Sequence, residues 1–355
     1  MTVSPPGRPA PPAAGAAPSS RRPGRRGRVA IIVVCVAAAA AIITAGVLKV
    51  AGPIAPATPT TSSTSPPIGT FSHHPVRITL PARPASYLGV FAKGVPDRYG
   101  PLQSFAATSG VRPNIALYYS GWYEKFKSAF AIQVTDNGAV PFIQIDPTGV
   151  SMAAIASGAF DTFLKSFATT VASYGASTHQ GVIIGFGHEM NGYWYSWGHR
   201  HVRPALFVKA WRHIVTVFRQ QGADDVTWLW TVNIIDSARG IPSPAAWWPG
   251  DSYVTWVGID GYYLKPSWTF ASLFGPTIRA VRQLTLDPIM ISETGATPAS
   301  GKPAKIADLF TGVRAYGLLG FVWFNANTHR HWSISDPASS AAFRRGARNY
   351  QGSVL

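Results

Sequence analysis

Short runs of apolar and β-branched residues recur eight times between residues 87 and 324, and segments with helical spacing separate most of them. Each run is apolar at consecutive positions rather than at alternate ones, which is typical of strands buried on both faces. The eight predicted strands are Tyr87–Phe91, Ile115–Tyr119, Val140–Ile145, Val182–Phe186, Val226–Val232, Val254–Ile259, Pro288–Ile291 and Leu319–Phe324.

The segments between these runs predict helices. In one of them, apolar residues spaced three or four apart run from Phe160 to Tyr174, and Gly175 is expected to end the helix. The last helix is predicted to begin at Asp336-Pro337, since Asp caps a helix and Pro fits its first turn. Only the fifth connection, Ser243–Gly250, is too short for a full helix. Alternating strands and helices of this number predict an α/β fold, a (β/α)8 TIM barrel over residues 86–350.

Three segments of different character precede the predicted barrel. Residues 1–28 form a basic tail with five Arg between positions 21 and 28, and residues 29–50 hold a run of 20 uncharged residues. As a helix that run spans roughly 30 Å, so it is predicted to be a transmembrane signal-anchor. Residues 51–85 contain eight Pro with many Thr and Ser, which predicts a disordered linker.

The Arg cluster predicts a cytoplasmic N-terminus and a barrel held outside the cell membrane by a single-pass helix. A cleaved signal peptide, which would release a secreted protein, is the alternative. Charge supports this division, because ten Lys or Arg and no acid precede Asp97. From there on, 21 bases face 15 acids, so the formal charge of +16 does not indicate a nucleic-acid groove on the barrel.

The sequence offers no sign of a bound metal or cofactor. Cys35, the only Cys, lies in the predicted anchor, so the exported part is expected to fold without disulfides. No Gly-rich phosphate loop stands between a strand and a helix, and His188, His199 and His201 lack the spacing of a helical zinc motif. We therefore expect no cofactor, no metal and a monomer.

Glutamate is rare in this chain, and its positions are informative. Of the three Glu residues, Glu189 and Glu293 each follow a buried run, the fourth and the seventh, whereas Glu124 is placed to begin a helix. The catalytic groups of such barrels lie at the carboxyl ends of the strands, and the fourth and seventh strands face each other. Two facing carboxyl groups among aromatic side chains suit the cleavage of a glycosidic bond, which needs one proton donor and one carboxylate.

These two stretches resemble the motifs of a known family. His188-Glu189-Met190-Asn191-Gly192, followed by the aromatic Tyr193–Gly198, resembles the acid/base motif of glycoside hydrolase family 26, which contains β-mannanases and mixed-linkage β-glucanases. Ile291-Ser292-Glu293-Thr294-Gly295 resembles its nucleophile motif. The resemblance extends over about residues 86–345 and implies a retaining mechanism, with Glu189 as acid/base and Glu293 as nucleophile.

The resemblance also implies supporting roles. His188 would bond near the nucleophile or the sugar, Tyr262 would contact the nucleophile, Trp194 would lie beside the acid/base and Trp323 would form the floor of the sugar site. Asn233, after the fifth strand, is expected nearby. Asp260 either supports the site or caps a turn.

Aromatic residues in the loops that follow strands are candidate sugar platforms, because their faces pack on pyranose rings. They include Trp122, Trp197 and Trp268. The predicted function is hydrolysis of a β-linked polysaccharide, with β-1,4-mannan preferred. A mixed-linkage β-glucanase and an inactive polysaccharide-binding domain at the cell surface are the alternatives.

Overall fold

The computed structural model describes residues 79–328, 330–348 and 350, and these form a closed barrel of parallel strands with helices outside. The strands pair in chain order, each with the next, and β8 closes on β1. This confirms the predicted (β/α)8 fold. The strands are β1 (Tyr87–Ala92), β2 (Ile115–Gly121), β3 (Val140–Asp146), β4 (Val182–Phe186), β5 (Val226–Asn233), β6 (Trp256–Tyr263), β7 (Ile289–Ala296) and β8 (Gly320–Asn325).

Helices pack around the barrel in every connection except the fifth. There the described chain makes only 3₁₀ turns at Ser237–Arg239, Pro244–Trp247 and Asp251–Tyr253, as the short Ser243–Gly250 segment predicted. The helices are α1 (Gly100–Ser109), α2 (Ser128–Asp136), α3 (Met152–Ala156), α4 (Asp161–Thr178), α5 (Pro204–Gln220), α6 (Phe270–Leu273), α7 (Gly275–Arg282), α8 (Lys302–Ala315) and α9 (Pro337–Ala347).

The helix ends test the cap predictions. Asp336 caps α9 as expected, because its side chain accepts a hydrogen bond from the Ser339 amide at 2.8 Å. The predicted stop at Gly175 is wrong, since α4 continues to Thr178 and ends at His179 in the left-handed conformation. A Cβ at Gly175 would lie 2.7 Å from a carboxylate oxygen of Asp225. Glycine is therefore used there for close packing and not for helix termination.

β6 and β7 extend past their apolar runs, and this extension positions the site. β6 runs to Tyr263 and β7 to Ala296, so Asp260 and Glu293 lie within strands and pair with each other. The register of β7 shifts by one residue against β6 between Met290 and Glu293, and against β8 between Ile291 and Thr294, which is the signature of a β-bulge. A bulge interrupts the alternation of side chains, so that consecutive residues can both point towards the barrel interior.

The N-terminal segments mostly lie outside the described residues. The basic tail, the signal-anchor at 29–50 and residues 51–78 of the linker are among them. Within the part that is described, none of the helices has the length and apolarity needed to cross a membrane. The barrel begins slightly before the predicted boundary at 85, because Leu80 is buried and Tyr87 donates a hydrogen bond to the Pro81 carbonyl at 2.8 Å.

Candidate active site

Glu189 lies in the turn that follows β4, with its backbone in the left-handed region at φ +56°. Its amide donates to the Thr231 carbonyl of β5 at 2.9 Å, which fixes the turn against the barrel. Both carboxyl oxygens accept hydrogen bonds, one from the Asn233 amide at 2.5 Å and one from the Trp194 indole at 2.8 Å. The carboxyl group is thus held from two sides, as a proton-transferring group needs to be.

Asn233 is held in turn by Asn191, two residues after Glu189. The side-chain amide of Asn191 donates to the Asn233 carbonyl at 2.9 Å and to the Pro242 carbonyl at 3.2 Å. Its side-chain oxygen accepts from the Asn233 backbone amide at 2.8 Å. Because Asn191 is fully buried, these bonds link the turn after β4 to the end of β5. Sequence reasoning placed Asn233 near the site but gave Asn191 no role beyond the motif.

Glu293 lies in the β7 bulge and accepts a hydrogen bond from the Tyr262 hydroxyl of β6. Burial raises the pKa of Glu293 to about 8. The hydroxyl donates to the carboxylate and therefore favours its charged form, which opposes the effect of burial. The prediction from the resemblance that Tyr262 contacts this carboxyl agrees with the geometry.

A third carboxyl group is that of Asp260, which pairs with Glu293 across β6 and β7. It is 1% exposed and accepts a hydrogen bond from the Ser292 hydroxyl at 2.6 Å. Burial and the nearby charge of Glu189 raise its pKa well above the ordinary value, while His188 opposes the rise. Ser292 and Glu293 are consecutive and both face the interior, which the β7 bulge makes possible. Asp260 therefore supports the site and does not cap a turn.

His188 is buried and its pKa is raised to about 9. Burial by itself would lower the pKa, but Asp146, which ends β3, holds a carboxylate oxygen 3.0 Å from Nδ1. Its other nitrogen, Nε2, lies 3.0 Å from the Tyr195 hydroxyl. The raised pKa favours the charged imidazolium at neutral pH, and the polar contacts of the ring in the described structure are with Asp146 and Tyr195, not with Glu293. From the sequence alone, Asp146 is interpreted as part of a turn that borders the mouth, and the structure adds its contact with His188.

The aromatic stretch after Glu189 forms a wall at the mouth. Trp194 and Tyr195 remain partly exposed, and the Tyr195 ring stacks on Trp197 with centroids 4.3 Å apart. Trp197 is itself buried and donates from its indole to the His188 carbonyl at 2.9 Å. Trp197 thus supports the wall from behind, and Trp194 and Tyr195 offer the accessible surfaces.

Two other Trp residues lie in the core and do not line a sugar site. Trp323 is 0% exposed, packs against Phe343 of α9 and donates from its indole to the Trp332 carbonyl at 3.1 Å. Trp122 is also buried, among the rings of Phe160 and others from the same side of the barrel. The sugar-contact role expected for these two residues does not fit their burial.

Trp268 and Trp332 lie in the loops after β6 and β8. Trp268 remains partly exposed, so it stays a candidate platform. Trp332 is mostly buried, and its ring centroid lies 4.5 Å from that of Tyr262. Of the loop aromatics, Trp332 therefore contacts the residue that bonds Glu293.

The fold and this site together define a class of protein. A (β/α)8 barrel with one carboxyl group after β4, another on β7 and an aromatic wall at the mouth is an arrangement that suits glycoside hydrolysis. Neighbouring strands link the two carboxyl groups. Glu189 accepts a hydrogen bond from Asn233 of β5. Asn233 pairs with Asp260 of β6, and Asp260 pairs with Glu293 of β7.

Comparison with known proteins tests the resemblance of the motifs. The model of glycosyl hydrolase family 26 matches residues 164–286, a stretch that includes Glu189 and Tyr262 and ends before Glu293. Endoglucanase H of Acetivibrio thermocellus is 29% identical over 260 residues, covering 68% of this chain and 28% of that protein. The matches agree with the resemblance of the motifs, and the chain is similar to glycoside hydrolases of family 26. The chain spans little more than a quarter of the length of this curated relative.

Solved structures agree on the fold. A family 26 β-mannanase from Bacteroides ovatus superposes with a TM-score of 0.57 at 16% identity, over 75% of this chain and 89% of that one. A double mutant of an endo-β-1,4-mannanase from Cellulomonas fimi gives 0.59 at 16% identity, over 75% and 71%. At such identities these likenesses speak for the barrel and not for its substrate.

Proposed function

We propose that this domain hydrolyses a β-linked polysaccharide with retention of configuration, cutting within the polymer. The observation that carries the proposal is a pair of hydrogen-bonded carboxyl groups. Glu189 accepts hydrogen bonds from Asn233 and Trp194, and Glu293 accepts one from the Tyr262 hydroxyl. Retaining glycosidases need one group that transfers a proton and one that attacks the anomeric carbon. Here the carboxyl groups stand on β7 and directly after β4, in one aromatic-walled mouth.

In the proposed reaction, Glu293 attacks the anomeric carbon while Glu189 gives its proton to the departing glycosidic oxygen. Water then adds to the glycosyl-enzyme, and Glu189 takes the proton from that water, so the first residue changes from acid to base. Glu293 must be ionised to attack, and the Tyr262 hydroxyl supports that form against the effect of burial. A carboxyl separation of about 5–5.5 Å is expected for this mechanism.

The proposed substrate is β-1,4-mannan. The motifs that resemble family 26, which contains β-mannanases, support it, whereas the similarity to endoglucanase H favours a β-glucan as the second candidate. The two sugars differ in the configuration of the 2-hydroxyl group. Discrimination of this group therefore falls to side chains at the mouth, where Trp194 and Tyr195 are partly exposed candidates.

The test is reducing-sugar release by the full chain from β-mannan and from mixed-linkage β-glucan. Glu293→Ala serves as the inactive variant and Glu124→Ala, a surface Glu paired with Lys127, as the matched control. Release from one polymer that is lost only in Glu293→Ala identifies the reaction and the sugar. NMR of the first product tests retention, and an inverted anomer would contradict the proposed mechanism. Tight polymer binding without release would instead favour a binding domain.

We also propose that the barrel works outside the cell, tethered by residues 29–50. The support is the Arg cluster followed by an uncharged run of one bilayer's length. Fractionation of cells that make the full chain tests this proposal. Recovery in the membrane fraction, with the barrel open to added protease, is expected, and recovery of a shortened chain in the medium would favour cleavage.

A further inference from the structure

Two Lys residues are buried in the first turn of α8, a helix that starts at the mouth because it follows β7. Lys302 is 4% exposed and Lys305 is 8% exposed. A buried ammonium group is costly unless it is well bonded. Each of these two donates to a pair of backbone carbonyls in a loop at the mouth, and the two loops are different.

Lys302 holds the loop after β8. Its ammonium donates to the His331 carbonyl at 2.9 Å and to the Ser333 carbonyl at 2.7 Å. These carbonyls flank Trp332 on both sides. The carbonyl of Trp332 itself accepts from the Trp323 indole at 3.1 Å. Three consecutive carbonyl groups of the loop thus accept hydrogen bonds. One donor is Trp323 of β8, and the other two bonds come from Lys302 of α8.

Trp332 passes this constraint to the site. Its ring packs on Tyr262, with centroids 4.5 Å apart, and the Tyr262 hydroxyl donates to Glu293. A Cβ at Gly295 would lie 3.1 Å from the Trp332 ring and 3.3 Å from the Tyr262 ring, so the two rings are packed tightly against β7. A shift of Trp332 would therefore move the Tyr262 hydroxyl relative to the carboxyl group that it bonds.

We infer that Lys302 is a positioning residue for the nucleophile: it fixes the loop around Trp332, and through the Tyr262 ring it aligns the hydroxyl that donates to Glu293. This inference rests on the proposed function. Displacements of about 1 Å in catalytic geometry can cost about 100-fold in rate, so a remote residue with this role affects turnover.

Lys305 provides a matched control within the same helix turn. It is similarly buried and also bonds two carbonyls, those of Pro266 at 2.7 Å and Trp268 at 2.5 Å, in the loop after β6. The ring contacts of Tyr262 in the described structure are with Phe324 and Trp332, and neither lies in that loop; the Lys305 ammonium lies 5.9 Å from the ring of Tyr263 instead. Loss of either Lys should destabilise the barrel, but only loss of Lys302 should act through the tyrosine hydroxyl.

The experiment is a double-mutant cycle in the full chain on the active polymer, with Lys302→Met, Tyr262→Phe and both together. Lys302→Met should lower kcat about tenfold and change KM by no more than about twofold. In the Tyr262→Phe background, the same substitution should lower kcat by less than about twofold. Lys305→Met should leave kcat within about twofold. Equal losses from Lys302→Met in both backgrounds, or an equal kcat loss from Lys305→Met, would overturn the inference.

Two further measurements keep the test decisive. If Lys302→Met does not fold, Lys302→Gln, which keeps N–H donors on a shorter side chain, takes its place in the cycle. If the unaltered chain releases no sugar, the proposed function is wrong. Amide hydrogen exchange then tests whether Lys302 constrains the loop. Faster exchange of amides 330–334 in the Lys302 variant, but not in Lys305→Met, would support the constraint on the loop, and unchanged exchange would overturn it.

Discussion

The raised pKa of the Glu293 carboxyl should make the protein less stable as the pH rises, and Glu293→Gln should remove that effect. The pKa of Glu293 is raised by burial from 4.5 to about 8. In the unfolded chain this carboxyl releases its proton near the lower value, whereas the folded chain keeps it up to the higher one. Between these two values the folded state binds more protons, so stability is present at low pH and falls as the pH rises through this window.

The size of the effect follows from the pKa difference. At about 1.4 kcal/mol per unit, the difference corresponds to at most roughly 5 kcal/mol at pH 8. Glu293 is partly exposed, and Tyr262 donates a hydrogen bond to the charged form, so we expect about 2 kcal/mol. A glutamine has nearly the same shape and carries no charge at any pH. Glu293→Gln should therefore match the unaltered protein near pH 4 and exceed it by this amount near pH 8.

Chemical denaturation at a series of pH values measures the difference in free energy of unfolding. Asp260 and His188 also titrate in the folded state, but they are present in both proteins and largely cancel in the difference. Glu124→Gln, at an exposed Glu paired with Lys127, should differ by less than about 0.5 kcal/mol throughout. A Glu293→Gln curve that runs parallel to that of the unaltered protein from pH 4 to pH 8 would refute the argument from burial.

Three other predictions concern the groups around the carboxyl pair. Tyr262→Phe removes the donor to the nucleophile, so the acidic limb of kcat/KM against pH should move up by about one unit, and an unmoved limb would contradict the proposed contact. Asp146→Asn removes the largest of the influences that raise the pKa of His188, so that pKa should fall from about 9 while Glu189 and Asp260 still raise it, as NMR titration of the imidazole can measure; titration still near 9 would refute this cause. Trp194→Phe removes the indole donor to the acid/base carboxyl, so the rate of polymer hydrolysis should fall about tenfold. The rate on an aryl glycoside with a good leaving group should fall less, because that group needs less proton transfer. Equal losses on both substrates would argue against a role in proton transfer.

The barrel and the two carboxyl positions could be predicted from the sequence because they depend on local patterns. Eight apolar runs separated by helical spacing specify the topology, and a Glu directly after such a run lies at the mouth by geometry. The contacts between elements could not be predicted in this way. Asp146 meets His188 and Asn191 meets Asn233 only because β3, β4 and β5 are neighbours in register.

The error at Trp323 has a specific physical origin. Trp323 and Phe324 are consecutive in a strand that is apolar throughout, so the pattern gives no phase to say which one faces inward. In the structure Phe324 stacks on Phe91 and lies near Tyr262, whereas Trp323 faces Phe343 of α9. An alternation of polar and apolar residues would have shown which of the two faces inward. A strand that is buried on both faces has no such alternation.

The β7 bulge explains how two consecutive residues of one strand both reach the site. In a regular strand Ser292 and Glu293 would face opposite sides, and only one could reach the interior. The bulge lets Ser292 bond Asp260 while Glu293 bonds Tyr262, so the buried acid and the nucleophile are set by consecutive residues. Burial raises the pKa of both acids, and the proton donors around them decide which is ionised when substrate is bound. The charge state of this site therefore depends on backbone geometry as much as on residue identity, and a change that restores regular pairing in β7 should disturb both acids together.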